Sequence, residues 1–174
     1  MMWIEPPFRA ATPDDAPALA ELINMAGEGL PLYLWDGLAE PGQTAWEVGR
    51  QRVRRDAGGS SWRNGIVVET EAGIVACLFG YSLADVPEPI DASMPAMFVP
   101  LQELENLASG TWYVNILAVS PGQRGRGLGT SLLQLADRLA GGRRGVAMDQ
   151  VLDRRHGVEH RGKVVVGDHF GHGA

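Results

Sequence analysis

The sequence predicts an α+β domain in three layers, with a central sheet flanked by helices. Three observations carry that expectation. Helical and strand patterns alternate along the chain. Two strand candidates, Gly65–Thr70 and Gly73–Leu83, are joined by the tight Glu71-Ala72-Gly73 connection. A long β-branched and apolar stretch, Thr111–Val119, runs through a glycine-rich turn directly into a leucine-faced helix. With 174 residues, 45% of them hydrophobic and 21% charged, the chain suits one domain that buries roughly two-thirds of its unfolded surface.

The elements follow in order. A short extended start near Phe8–Ala11 precedes a helix that Thr12 can cap. Pro13 fits its first turn, and Asp14 and Asp15 favour its positive end. Ala16, Leu19, Ala20 and Ile23 give that helix one apolar face. The segment Gly27–Gly42 is rich in Gly and Pro and reads as a loop, although it holds Leu30, Leu32, Tyr33, Leu34 and Trp35. These side chains either pack on the domain or line a pocket. A second helix starts at Thr44, with Glu47 completing a capping box, and is expected to end near Ala57–Gly59. After the two strands, Pro87, Pro89, Pro95 and Pro100 make Asp85–Pro100 mostly loop, and a short helix follows at Leu101–Leu107. The chain then offers the Thr111–Val119 strand, a turn at Ser120–Gly127, a helix at Leu128–Ala140 and a last strand at Gly145–Gln150. No internal repeat and no interdomain linker interrupts residues 1–150.

Chemistry concentrates after the Thr111–Val119 strand. A helix that begins right behind a strand presents unpaired backbone N–H groups and the positive end of its dipole at the sheet edge. Gly125, Gly127 and Gly129 let a phosphate approach the backbone closely, and Arg124 and Arg126 add positive charge. The residues therefore spell a cradle for a diphosphate. Glycine spacing alone also fits a turn made of glycine for steric reasons. Two other phosphate motifs fail in detail. A Walker A loop needs a lysine where Leu128-Gly129-Thr130 has none. A dinucleotide fingerprint wants G-x-G-x-x-G early in a βαβ unit, whereas Gly125-x-Gly127-x-Gly129 lies late in the chain.

Leu117-Ala-Val-Ser-Pro121 followed by Arg124-Gly-Arg-Gly-Leu-Gly129 resembles motif A of the GNAT acyltransferases, with its R/Q-x-x-G-x-G/A signature. Arg124, Gly127 and Gly129 occupy the fixed places, and Phe8–Gln150 can be overlaid on the family's order of elements. The resemblance implies a mixed, mostly antiparallel sheet. It implies acetyl-CoA as cosubstrate, with its pyrophosphate held by backbone N–H groups across Arg124, Gly125, Arg126, Gly127, Leu128, Gly129 and Thr130. It also implies that Leu117, Ala118 and Val119 pair with the pantetheine arm as an added strand would. The expected activity is N-acetylation of an amine (a small molecule, a protein N-terminus or a lysine) by direct attack on the thioester. Some family members carry a glutamate on this strand; Thr111–Val119 contains no acid, and Tyr113 and Asn115 share one parity there. They are the candidate catalytic residues, orienting a water or the acceptor; a purely structural role is the alternative. Tyr33, Trp35 and Trp46 with the Pro-rich Asp85–Pro100 stretch are candidate acceptor-side walls, although core packing explains Trp46 equally well.

After Gln150 the family pattern stops. An Asn-x-x-A-x-x-L-Y helix is expected there, yet Val151–Ala174 is Gly- and His-rich, carries all four histidines and has no tyrosine. Asp168, His169 and His172 are workable ligand types, but their spacing matches no standard site and no metal is expected. Residues 151–174 read either as a divergent end or as an out-of-frame translation. Shifting the degenerate codons of Val158–Val164 by one base permits Ser-Asn-Thr-Gly-Ala-Arg, which resembles the missing helix start. A single lysine, Lys163, among 15 basic residues suggests GC-rich coding, in which alternative frames stay open. Under that reading the atypical or truncated end impairs activity, which makes an acyl-CoA-binding protein without turnover the alternative function. An unpaired edge at Gly145–Gln150 would then invite a homodimer.

Charge and cysteine usage exclude other classes. A net charge of −6 provides no global field for nucleic acid or an anionic membrane, and Arg50, Arg52, Arg54 and Arg55 read as a solvated basic face. Cys77, the one cysteine, lies in an apolar run and reads as a buried structural thiol. Met1–Arg9 does not resemble a signal peptide, and no apolar stretch approaches the ~20 residues that span a bilayer, so a cytoplasmic protein is expected.

Overall fold

A computed structural model of the chain describes residues 4–94, 96, 98–141 and 146–148. The elements are β1 (Phe8–Ala10), α1 (Ala16–Ala26), α2 (Leu30–Asp36), α3 (Ala45–Arg54), β2 (Gly65–Thr70), β3 (Gly73–Ser82), α4 (Val99–Leu107), β4 (Trp112–Val119), α5 (Leu128–Ala140) and β5 (Val146–Met148). Short 3-10 turns at Pro13–Asp15, Trp62–Asn64 and Pro121–Gln123 link them. The strands form one sheet in the order β1-β2-β3-β4-β5. β1 and β3 flank β2 antiparallel, with Arg9 opposite Val67 and Val67 opposite Cys77. β3 and β4 are also antiparallel: the Ser120 N–H donates to the Val75 carbonyl (2.8 Å) and the Leu83 N–H to the Thr111 carbonyl (3.0 Å). β5 then lies parallel to β4, Tyr113 facing Ala147, because a helix carries the chain back between them. The expected mixed, mostly antiparallel sheet flanked by helices is what the chain forms.

The chain divides into two compact units. The first holds Met1–Gly80 and Asn115–Leu133. Its core joins Leu19, Ala20 and Ile23 of α1, Val48 and Val53 of α3, Val67 of β2, Cys77 and Phe79 of β3 and Ala118 of β4. The entry to α1 is fixed by Asp15, whose Oδ2 accepts from both the N–H and Oγ1 of Thr12 (2.7 and 3.1 Å) while Arg9 donates to both of its oxygens (2.7 and 2.9 Å). Arg9 Nε also donates to Glu69 of β2. The second unit holds Tyr81–Val114 and the chain from Gln134 onward. In it Tyr81 and Leu83 pack on Tyr113 and Ala108.

Several boundaries differ from expectation for identifiable reasons. Pro17 lacks the N–H that would close an α-turn back to Pro13, so the helix expected from Thr12 begins as a 3-10 turn and becomes α-helical at Ala16. The Gly27–Gly42 loop contains α2, with Gly29 at φ 92° before it and Pro31 in its first turn. α2 is seated by Trp35, only 5% exposed, whose ring lies where a side chain on Gly49 of α3 would be. α3 stops at Arg54 because Arg55 is extended (ψ 150°), short of the expected Ala57–Gly59. α4 starts at Val99, two residues early, since Pro100 is compatible with a first turn. The expected Gly145–Gln150 strand is described at Val146–Met148; residues 151–174, with the four histidines, lie outside the described residues.

Candidate functional site

The candidate site grows from the end of β4. Trp112, Tyr113, Val114 and Ala118 are buried, whereas Asn115, Ile116, Leu117 and Val119 are half-buried. At the strand end the Ser120 N–H is taken by Val75 of β3. The chain then tightens: Gln123 N–H donates to Ser120 (2.9 Å) and Arg124 N–H to Pro121 (3.3 Å). Gly125 and Gly127 follow at φ 78° and 80°, a left-handed conformation that glycine adopts without penalty. These two reversals drop the chain into α5, whose first hydrogen bond runs from the Ser131 N–H to the Gly127 carbonyl (2.9 Å).

That bond leaves a set of free donors. Among the described residues, the N–H groups of Arg126–Thr130 meet no backbone acceptor; for Gly127–Thr130 the first turn of a helix dictates this. A Cβ placed on Gly127 would meet nothing within 4 Å, and one on Gly129 would only touch Val119 Cγ2 at 3.8 Å. Glycine at 127 therefore serves the turn and keeps the approach to these donors open. Glycine at 129 is not demanded by crowding within the fold. The buried Leu132, Leu135, Ala136 and Ala140 fix α5 behind the loop. Unpaired amides, a helix dipole and two arginines are features that favour an anion.

The site residues expected from sequence are distributed as follows. Leu117, Ala118 and Val119 end β4, and Arg124, Gly125, Arg126, Gly127, Leu128, Gly129 and Thr130 form one continuous loop and helix start behind it. The Val119 carbonyl already accepts from Arg124 Nε (3.0 Å), so one of its two lone pairs is engaged. Tyr113 is buried, with its ring 5.6 Å from that of Tyr81 at 61°, an edge-to-face pair. Asn115, two residues on, is half-buried. Of the candidate acceptor walls, Tyr33 is 75% exposed, while Trp35 and Trp46 pack edge-on at 6.1 Å in the core.

Sequence reading missed two features. The Tyr81 hydroxyl donates to Glu105 Oε1 of α4 (3.2 Å), and burial first, then the Glu105 charge, pushes that phenol's pKa well up. With Ser82, Glu88, Gln102, Asn106 and Ser109, the pair lines a depression of about 200 Å³. Met25 of α1 places its sulfur 3.6 Å from Arg124 Nη2. No spacing rule connects positions so far apart in the chain. Among the described residues no group of His, Cys, Asp or Glu is placed to hold a metal, and no helix is long and apolar enough to cross a membrane.

Known proteins share this architecture. Among solved structures the chain is similar to an acetyltransferase (18% identity, 84% of this chain and 81% of that one, TM-score 0.57). It is similar to an N-acetyltransferase from Staphylococcus aureus Mu50 (18% identity, 81% and 79% covered, TM-score 0.51). It also resembles the loading GNATL domain of CurA from Lyngbya majuscula (18% identity, 83% and 64% covered, TM-score 0.50). At these identities the likeness is one of fold. No curated protein sequence matches the chain. The sequence model described as the Acetyltransferase (GNAT) family matches residues 33–156, from within α2 through the whole of β4 and the glycine loop. That span exceeds half of the chain, and the protein belongs to the acetyltransferase (GNAT) family.

Proposed function

We propose that this chain is an acetyl-CoA-dependent N-acetyltransferase whose loop Arg124–Thr130 holds the diphosphate of the cosubstrate. One observation supports this most: the N–H groups of Arg126–Thr130, which meet no backbone acceptor among the described residues, follow left-handed turns directly behind a sheet strand. The pieces present fit the group. A doubly charged linker needs several donors converging from one side, and the start of α5 offers them with the helix dipole behind. Leu117–Val119 offer backbone groups to the amide-bearing arm, with the Val119 carbonyl partly engaged by Arg124. When bound, acetyl-CoA supplies the activated acetyl thioester.

The chain's own task is to position an amine and relieve it of a proton. An alkyl amine of pKa near 10.4 is neutral about once in 10³ to 10⁴ molecules at pH 7, a handicap of roughly 4–5 kcal/mol. In this reading Asn115 or Tyr113 orients the amine or a water that takes the proton; Asn115 is the more accessible of the two. The acceptor is a small-molecule or peptide amine.

The test pairs thermal shift by acetyl-CoA with thiol release over a panel of amines. Stabilisation with turnover supports the enzyme. Stabilisation without turnover identifies a binding protein, the alternative raised by the atypical residues 151–174. Stabilisation by ATP and not by CoA overturns both. Unchanged rates in Tyr113→Phe and Asn115→Ala would remove both residues from the mechanism.

A further inference from the structure

The depression beside α4 takes no part in the function proposed above. Its volume of about 200 Å³ matches roughly six or seven waters at about 30 Å³ each, room for a small organic group. Its walls come from one unit: Tyr81 lies near the end of β3, Glu88 on the chain that follows, and Glu105 and Asn106 on α4. Those walls are tied together. Asn106 holds the backbone of Glu88 on both sides, its Nδ2 donating to the Glu88 carbonyl and its Oδ1 accepting from the Glu88 N–H (2.8 Å each). The Gly110 N–H donates to the Ala84 carbonyl (2.8 Å) and pins the start of the same stretch.

Charge selects what such a depression can take. Tyr81–Val114 carries Asp85, Glu88, Asp91, Glu103 and Glu105 but no Lys, Arg or His, so the stretch that builds the walls supplies no cation of its own. Burial raises the Tyr81 pKa most, then the Glu105 charge, and Glu88 adds to it; two carboxylates from different elements thus act on one hydroxyl. An anion is repelled here. Among the described residues no group of three His, Cys, Asp or Glu stands ready for a metal. The Tyr81 hydroxyl donates to Glu105 Oε1 (3.2 Å), and a hydroxyl that donates keeps lone pairs for a donor from outside. A carboxylate likewise accepts from more than one donor. Leu83 and Val86 add apolar surface to the same walls. A compact cation with a short alkyl body matches all of these.

We propose that this depression binds a small alkylammonium ion, its N–H groups donating to Glu105 and the Tyr81 oxygen and its methylenes lying on Leu83 and Val86. Glu88, the more exposed carboxylate, strengthens the field that draws the cation in. The site is independent of the acetyl-CoA reading, and its test needs no cosubstrate.

The experiment titrates isotope-labelled full-length protein with n-butylammonium chloride and, separately, with 1-butanol, a neutral molecule of nearly the same shape. Backbone amide shifts are followed at about 50 and 300 mM NaCl. Butylammonium should give saturable shifts at Tyr81–Glu88 and Gln102–Ser109, more weakly at high salt. Butanol should bind at least about ten-fold more weakly, the size of one lost hydrogen bond to a charged group. Glu105→Gln should weaken butylammonium by a similar factor. Glu88→Gln should weaken it by up to about five-fold, as befits an exposed charge. Since Glu105 also holds Tyr81, Glu88→Gln keeps the test decisive if Glu105→Gln does not fold. Equal responses to the two probes, shifts confined to other segments, or an unchanged Kd in Glu88→Gln would each overturn the proposal, as would no butylammonium binding at all.

Discussion

Gly127 and Gly73 form a matched pair that separates a turn glycine from a ligand-facing one. Their φ angles are 80° and 92°, and a Cβ built on either meets nothing within 4 Å. Gly73 opens β3 at the hairpin from β2; Gly127 precedes the free donors of α5. Alanine at either position costs only backbone strain, about 1–2 kcal/mol for a left-handed L-residue. In a domain of this size that lowers Tm by roughly 2–8 °C. The two variants should therefore lose similar stability. Affinity should differ. If a phosphate packs against the Arg126–Thr130 amides as proposed, a methyl group on Gly127 is expected to crowd it. Losing even one such charged-group hydrogen bond, worth about 1.5–3 kcal/mol, weakens acetyl-CoA binding by about ten-fold or more. Gly73→Ala should leave Kd unchanged. Differential scanning calorimetry for Tm and isothermal titration for Kd suffice. Equal Kd values in the two variants, with Tm lowered in both, would refute the reasoning and reduce Gly127 to a turn residue.

Three further outcomes follow from the packing. Gly49→Ala places a methyl group 2.5 Å from Trp35 Cε3 and Cζ3. The roughly 1 kcal/mol of helix propensity gained is outweighed by about 2–3 kcal/mol of overpacking against a buried ring, so Tm should fall; a rise would mean that the indole is not seated there. The hydrogen bond from Arg9 holds the Asp15 carboxyl below the usual carboxylate range, aided by Thr12 against the effect of burial. A depressed folded pKa stabilises the protein above the ordinary value near 4 and ceases to do so as pH falls through the folded value. The urea midpoint of the wild type should therefore drop more steeply below about pH 4 than that of Asp15→Asn; parallel curves contradict this. Burial pushes the Cys77 thiol up to about 12, so it should resist a disulfide reagent at pH 8 until the protein is unfolded, and rapid labelling of native protein would contradict the core described here.

The legible parts of the sequence were those in which local chemistry and tertiary packing agree. The Thr44–Glu47 capping box starts α3 as expected, with Thr44 N–H and Oγ1 both donating to Glu47 Oε2 (2.7 and 2.8 Å). α5 spans Leu128–Ala140 as its leucine spacing predicts, with Leu132 and Leu135 of that stripe buried and Leu128 and Leu139 half-buried. The glycine loop was legible because left-handed turns and free helix amides are local properties. α2 was not, since Leu30-Pro-Leu-Tyr-Leu-Trp35 is apolar at nearly every position and shows no helical period. Its helix depends on Trp35 finding Gly49 across the core, a contact that no window of sequence contains. The same holds for the candidate site. Arg124 could be named from the motif, but its bond to Val119 and its contact with Met25 required the fold. The burial of Tyr113 against Tyr81 likewise arises from pairing between strands.

The most direct test of the central claim is a titration of isotope-labelled protein with CoA, followed through backbone amide chemical shifts. The largest shifts should fall on the amides of Arg126–Thr130, with smaller ones at Leu117–Val119. CoA binding that leaves the Arg126–Thr130 amides unmoved would contradict the claim that the start of α5 holds the diphosphate.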